Sequence, residues 1–355
     1  MAYPKRLLRT WFQHTQSPFI ANAPMFGFAE YSLAAAVTKS GGLGFIGGGF
    51  NFTAESAQLT NLNGQLEKAR SELGDIPPTS SLPIGVGFIT FQPAGFIENA
   101  IPILKKHRVM AIWLSFPESD ADHLPIIEAI LQARTQSDWD VRVFVQVGTV
   151  QAARNATQQG ADVIVVQGSD AGGHQWAQGA SLLSLLPEVR DAVEESGAAS
   201  HTAILAAGGI VDGRGCVAAL GLGADGVVMG TRFIATAECP APSHFKETIL
   251  SSSDGGVSTV KSTQHDVFQS TDVFPRQYDG RAIIGVSYKE AESGLSQEEI
   301  IKRYKNATEK KEDYRRTVWA GASVGVIKKL LTVSELIKNV QQEVKSTLDR
   351  VAQRI

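Results

Sequence analysis

The residues able to do chemistry near neutral pH gather in one stretch, Gly160-Ala-Asp-Val-Ile-Val-Val-Gln-Gly-Ser-Asp-Ala-Gly-Gly-His174. Histidine is the side chain whose charge changes closest to physiological pH. His174 can therefore hold an anion when protonated and take a proton when neutral. Gly168, Gly172 and Gly173 precede it and let backbone approach a ligand closely. Asp170, four residues upstream of His174, either orients the imidazole or closes a turn, and the turn is favoured. A loop histidine satisfied by a backbone carbonyl is the other reading of His174, and both stand at this point.

A second group of residues suits a phosphate. Ala206-Ala-Gly-Gly-Ile210 and Met229-Gly-Thr-Arg-Phe233 each follow a short apolar run. Gly208, Gly209 and Gly230 expose backbone N–H groups, Thr231 adds a hydroxyl, and a helix capped at Asp212 adds the positive end of a dipole. Ordinary glycine-rich turns are the competing explanation. Gly47-Gly48-Gly49 lacks the Lys-Ser/Thr of a P-loop and reads as tight packing at a strand end. Gln146 and Gln167 close two apolar runs and offer amides to a polar ring edge. In Asn22-Ala-Pro-Met25, Pro24 removes a donor and turns the chain. No metal site is expected, because His-Glu-x-x-His and paired Cys/His spacings are absent from the sequence. The letters Gly-x-Ser-x-Gly occur at Gly321-Ala-Ser-Val-Gly325, but that run leads into the final helix and is not read as a nucleophile elbow.

Short β-branched runs alternate with helical segments from residue 19 to residue 238. The runs fall at 19–25, 43–46, 84–89, 109–115, 141–147, 162–167, 202–207 and 225–229. Eight apolar strands alternating with helices predict a parallel sheet covered by helices, and eight units close a TIM (β/α)8 barrel. An open doubly wound sheet is the alternative. Thr53 is placed to cap a helix over 54–73, and Thr149 one over 150–159. The alternation stops after Ala237. Residues 239–318 are expected to form a smaller inserted α+β domain on the substrate side, ending in a charged helix from Ser296 to about Arg316. Residues 1–238 and 319–355 then form the barrel, closed by a final helix over 326–351.

The 355 residues are 43% hydrophobic and 19% charged, which suits one large domain or one domain with an insertion. A net charge of −3 gives no reason to expect a nucleic-acid or membrane partner. Small-molecule partners are expected, and a homodimer is left open. Cys216 and Cys239 make no disulfide framework, so a reducing, cytoplasmic location fits. The basic start, Lys5, Arg6 and Arg9, reads as a solvated terminus before a mitochondrial transit peptide.

Taken in order, Asn22-Ala-Pro-Met25, Ser40-Gly-Gly-Leu-Gly44, Gln167-Gly-Ser-Asp-Ala-Gly-Gly-His174, Ala206-Ala-Gly-Gly-Ile210 and Gly230-Thr-Arg-Phe233 resemble the motifs of the nitronate monooxygenase family, formerly 2-nitropropane dioxygenase. The resemblance covers nearly the whole chain and is least specific over 239–318. It implies a TIM barrel with an added smaller domain and non-covalent FMN. It implies that Gly208, Gly209, Gly230 and Thr231 hold the FMN phosphate. Asn22, Ala23, Pro24 and Met25 would meet the flavin, and Gln146, Gln167, Gly172 and Gly173 would line it. His174 matches the catalytic histidine of the family. The implied reaction is oxidation of alkyl nitronates by O2 to carbonyl compounds and nitrite, with neutral nitroalkanes left open. Three positions depart from the family pattern: Asn22 where Gln is frequent, Asp170 where Glu is frequent, and Pro117 where many members carry Gly. They bear on the substrate pocket more than on the fold. The same barrel also serves NAD(P)H-dependent enoyl-acyl-carrier-protein and quinone reductases. A non-catalytic FMN- or phosphate-binding protein is a third reading. Phe88, Trp176 and Trp319 are read as packing before pocket.

Overall fold

The computed structural model describes residues 7–74, 76–271 and 273–354. Lys5 and Arg6 of the basic start lie outside the described residues, and Arg9 sits in the short helix Leu7–Trp11. The strands are β1 (Ile20–Asn22), β2 (Gly44–Gly49), β3 (Leu82–Ile89), β4 (Val109–Ser115), β5 (Arg142–Val147), β6 (Val163–Gln167), β7 (Gly173–Trp176), β8 (Ala203–Ala207), β9 (Gly226–Met229), β10 (Thr259–Ser262) and β11 (Tyr278–Ile283).

Eight of them form a parallel sheet in the order β1-β9-β8-β6-β5-β4-β3-β2. The two ends of that order meet. Ala21 bridges Leu43 in parallel, and the Leu43 N–H donates to the Ile20 carbonyl at 2.9 Å. With only three residues in β1, a side chain supplies the next rung. Asn22 Nδ2 donates to the Phe45 carbonyl at 2.8 Å, and Asn22 Oδ1 accepts from the Phe45 N–H at 2.8 Å. The sheet is therefore a closed barrel, and the open doubly wound alternative falls.

Side chains alternate across each strand as the pleat requires. Phe45, Trp113, Phe144, Val163, Val165 and Leu205 fill the barrel interior. Their neighbours Ile46, Ile112, Val143, Ile164 and Ile204 pack outward against the helices. Phe45 meets Trp113 edge-on at 5.2 Å and Phe144 at 5.3 Å. Gly85 makes room for this, since a Cβ there would lie 2.2 Å from the Phe45 ring. Phe12, from the segment before β1, plugs the same core against Phe19 and Phe144.

A second, antiparallel sheet has the order β10-β11-β7. Its strand β7 comes from the segment after β6, so the stretch expected to run as loop through His174 is a strand from Gly173. Gly173 turns the chain with φ +74°, and Gly280 of β11 stands opposite His174. The helices around this sheet share a small core of Phe268, Ile300 and Tyr304. Glu290 binds them together, accepting from Arg303 at 2.9 Å and from Arg315 at 2.7 and 2.8 Å.

Several helix ends differ from expectation for local reasons. Ser56, not Thr53, caps Ala57–Glu72; the Thr53 hydroxyl donates to the Asn51 side chain at 2.9 Å instead. Pro102 sits in the first turn of Ile101–His107, where no N–H is needed. The charged helix Gln297–Glu309 stops before Arg316. Residues Ala322–Val326 form a 3-10 turn, and the last helix runs Val333–Ala352 from a capping box of Thr332 with Glu335. Thr149 and Asp212 cap as expected. Among the described residues no helix is long and apolar enough to cross a membrane.

Candidate active site

A cavity of about 480 Å³ opens at the C-terminal ends of the barrel strands, where the small sheet and its helices lean over them. Ala23, Pro24, Met25, Gln146, Gln167, Gly172, Gly173, His174, Gly208, Gly209, Gly230 and Thr231 all line it. Segments spread over more than two hundred residues of sequence thus meet in one space.

One end is built of glycine. Gly208 and Gly209 follow β8 with φ of +109° and +72°, a conformation side chains resist. A Cβ on Gly208 would also lie 2.8 Å from the Gly168 carbonyl. On Gly230 it would stand 3.6 Å from Ala23 Cβ and 3.7 Å from Met25 Sδ, inside the cavity. Thr231 Oγ1 accepts from the Gly321 N–H at 3.1 Å, which leaves its own proton to donate. One expected contributor is lost here. The first-turn N–H groups of the helix Gly213–Gly221 are already bonded: Arg214 and Gly215 donate to Asp212 at 2.9 and 3.2 Å, and Gly213 donates to Glu343 at 2.8 Å. Their donors serve the protein, not a ligand.

The middle of the cavity carries a relay of amides. Trp113 Nε1 donates to Gln146 Oε1 at 3.2 Å, Gln146 Nε2 to Gln167 Oε1 at 2.9 Å, and Gln167 Nε2 to the His174 carbonyl at 2.9 Å. Each glutamine keeps one amide hydrogen beyond this relay. Pro24 lies across β3 at Gly87, where a Cβ would come within 2.3 Å of its ring. Asn22 does not join them: it is fully buried, and its amide is spent on the barrel seam.

The other end holds the imidazole. His174 Nε2 lies 2.9 and 3.0 Å from the two carboxylate oxygens of Asp266. The Phe274 ring stacks on the imidazole at 3.6 Å and 10°, and Trp319 covers it at 4.8 Å. Asp170 is not the partner; it sits in the turn closed by the Ala171 N–H on the Gly168 carbonyl at 3.0 Å, and its own carbonyl accepts from the Ala322 N–H at 2.9 Å. Gly172 fits under Ala320, whose backbone would be 2.4 Å from a Cβ. Gly47 and Gly48 are packing positions against Phe26 and Phe88, while Gly49 reaches the cavity. Phe88 and Trp319 line the cavity, and Trp176 instead packs on Gly148 and Tyr278.

Asp266, Phe274 and Ser323 line the same space and escaped the sequence reading. Asp266 lies 92 residues from His174, in the region with the weakest motifs, and no spacing rule joins the two. The Gly321-Ala-Ser-Val-Gly325 run was the signal for Ser323, but it reads locally only as a lead into a helix.

Residues 128–343 match the family model described as Nitronate monooxygenase. The chain is similar to a nitronate monooxygenase of Neurospora crassa, with 41% identity covering 97% of this chain and 93% of that one. It is similar to the nitronate monooxygenase npaC of Metarhizium robertsii at 33% identity, covering 98% and 96% of the two chains. Its fold is similar to that of FabK from Thermotoga maritima, with a TM-score of 0.73, 22% identity and 98% of each chain covered.

Proposed function

The chain belongs to the nitronate monooxygenase family, and on that premise we propose that it binds FMN in its cavity and oxidises alkyl nitronates, with O2, to carbonyl compounds and nitrite. One observation carries this reading: a single cavity joins a glycine cradle, a pair of amides and an aromatic-clad imidazole. The residues suit FMN. Gly208 and Gly209 hold conformations that keep side chains out of the cradle, and Gly230 lines it beside them. With Thr231, these residues would take the phosphate through N–H and hydroxyl donors. Ala23, Pro24 and Met25 would lie against the ring. Gln146 and Gln167 would each turn a spare amide hydrogen to its polar edge, with Gly172 and Gly173 beside them.

Bound FMN would supply electron acceptance and the reaction with O2. The chain's own part is position and protons. A protonated His174 holds the nitronate anion, and a neutral His174 takes the α-proton of a nitroalkane. Phe274, Phe116 and Trp319 keep water from the imidazole and accept the apolar part of the substrate.

His174→Asn tests the assignment. The variant should retain FMN and lose about 10²-fold or more in turnover of neutral nitroalkanes, the scale of general-base contributions. Wild-type rates on those substrates, measured as nitrite release, would remove His174 from the role. Adding NADPH or NADH without a nitro compound separates the reductase reading, which requires the flavin bands to bleach.

A further inference from the structure

We propose that Asp266 is the positioning residue of this site: it fixes the tautomer of His174 and turns Nδ1 toward the substrate. The proposal rests on the reading of the cavity as a nitronate and nitroalkane site.

The geometry leaves the imidazole one arrangement. A carboxylate only accepts, so the contacts of 2.9 and 3.0 Å place the proton of the neutral ring on Nε2. Nδ1 has no hydrogen-bond partner among the described residues, and the side chain lines the cavity. A flip about the Cβ–Cγ bond would take Nε2 away from the carboxylate. The ring is also packed against Phe274 and Trp319. Both partners are shielded, with the His174 side chain 16% and the Asp266 side chain 6% exposed.

The charges around the pair single out Asp266. His265 precedes it on the helix Gln264–Gln269 and is engaged by the Val260 carbonyl at 3.2 Å. Asp279, on β11, is matched by Lys261 at 3.4 Å. Arg281, also on β11, donates to Thr259 at 3.1 Å and to the Ser169 carbonyl at 3.2 Å. Asp266 alone faces the imidazole directly, and among the described residues its one ion-pair partner is His174.

This arrangement matters for one substrate form and much less for the other. With a neutral nitroalkane, the α C–H bond breaks and its electron pair forms the C=N bond of the nitronate, with the charge on the nitro oxygens. The proton bonds to Nδ1, and the imidazolium that results stands beside the Asp266 carboxylate. A nitronate supplied as the anion needs no such transfer. The ratio of the pH-independent limiting kcat/KM for a nitroalkane, read where His174 is neutral, to that for its own nitronate, read where His174 is protonated, therefore reports on Asp266, whereas a residue that merely holds the fold would lower both together.

Asp266→Asn keeps an acceptor for Nε2–H but removes the charge. We expect the ratio for nitroethane over ethyl nitronate to fall at least tenfold, with the low-pH limb of the nitroalkane profile displaced to lower pH. Asp266→Glu, which restores a carboxylate, should recover part of the ratio. An unchanged ratio and unchanged profile in a flavin-retaining Asp266→Asn would overturn the proposal. A measurement on the unmutated protein covers the case of a variant that does not fold. In ¹⁵N-histidine NMR above the titration range, with His174→Asn assigning the signals, His174 should be the Nε2–H tautomer; an Nδ1–H tautomer would overturn the proposal. Should the wild-type enzyme act on neither substrate, the functional reading fails while the tautomer still decides the role of Asp266.

Discussion

Asn22 is spent on architecture, and its removal should be costly. Asn22→Leu would leave the N–H and carbonyl of Phe45 without partners inside the closed seam. At about 1–3 kcal/mol for each stranded buried group, we expect a loss of about 2–6 kcal/mol. It would be read as a lower urea midpoint at unchanged slope. A loss below about 1 kcal/mol would mean that β1 and β2 can close without the amide. The same scale shows what a motif does and does not disclose. The glycine cradle and His174 were legible because their chemistry is local: glycines at strand ends, and a histidine beside them. Asp266 and Phe274 were not legible, because an aspartate and a phenylalanine acquire meaning only when folding carries them 92 and 100 residues back to His174.

At the scale of elements, the eight barrel strands were readable because parallel strands buried on both faces show as short apolar runs. β7 was not readable. It is four residues, Gly-His-Gln-Trp, and it is a strand only because β11 offers it an edge. The helix His123–Thr135 carries a further consequence. His123 is 2% exposed, and its Nε2 lies 2.7 Å from Thr90 Oγ1, which itself donates to the Ser115 carbonyl. Burial pushes its pKa down to about 3. His107 is lowered to about 4, by burial first and then by Lys106 and Arg70. Both folded values lie below that of an unfolded histidine, near 6.5. The stability they confer is complete above about pH 6.5 and is lost as pH falls toward 4 and 3. At about 1.4 kcal/mol per pH unit for a fully buried histidine, His123 alone should cost about 2 kcal/mol between pH 7.5 and pH 5. Urea denaturation at the two pH values should show the loss, and His123→Gln should reduce it. A wild-type midpoint that does not fall at pH 5 would contradict this account of His123.

At the scale of the whole molecule, barrel and small sheet depend on one another. The barrel supplies the glycine cradle and the amides, while the chain after Ala237 supplies Asp266, Phe274 and the strand on which β7 is paired. The break in the β/α alternation was plain in the sequence, yet β7 lies outside 239–318 and belongs to the small sheet. The site is complete only where the two meet, which makes the intact chain the object to assay. The most direct test is a visible spectrum of the purified, FMN-loaded protein without O2, taken before and after an alkyl nitronate is added. We expect the flavin bands to change on nitronate alone, with no nicotinamide present. Bands that stay unchanged with nitronate but bleach with NADPH or NADH would contradict the central claim and make the protein a reductase.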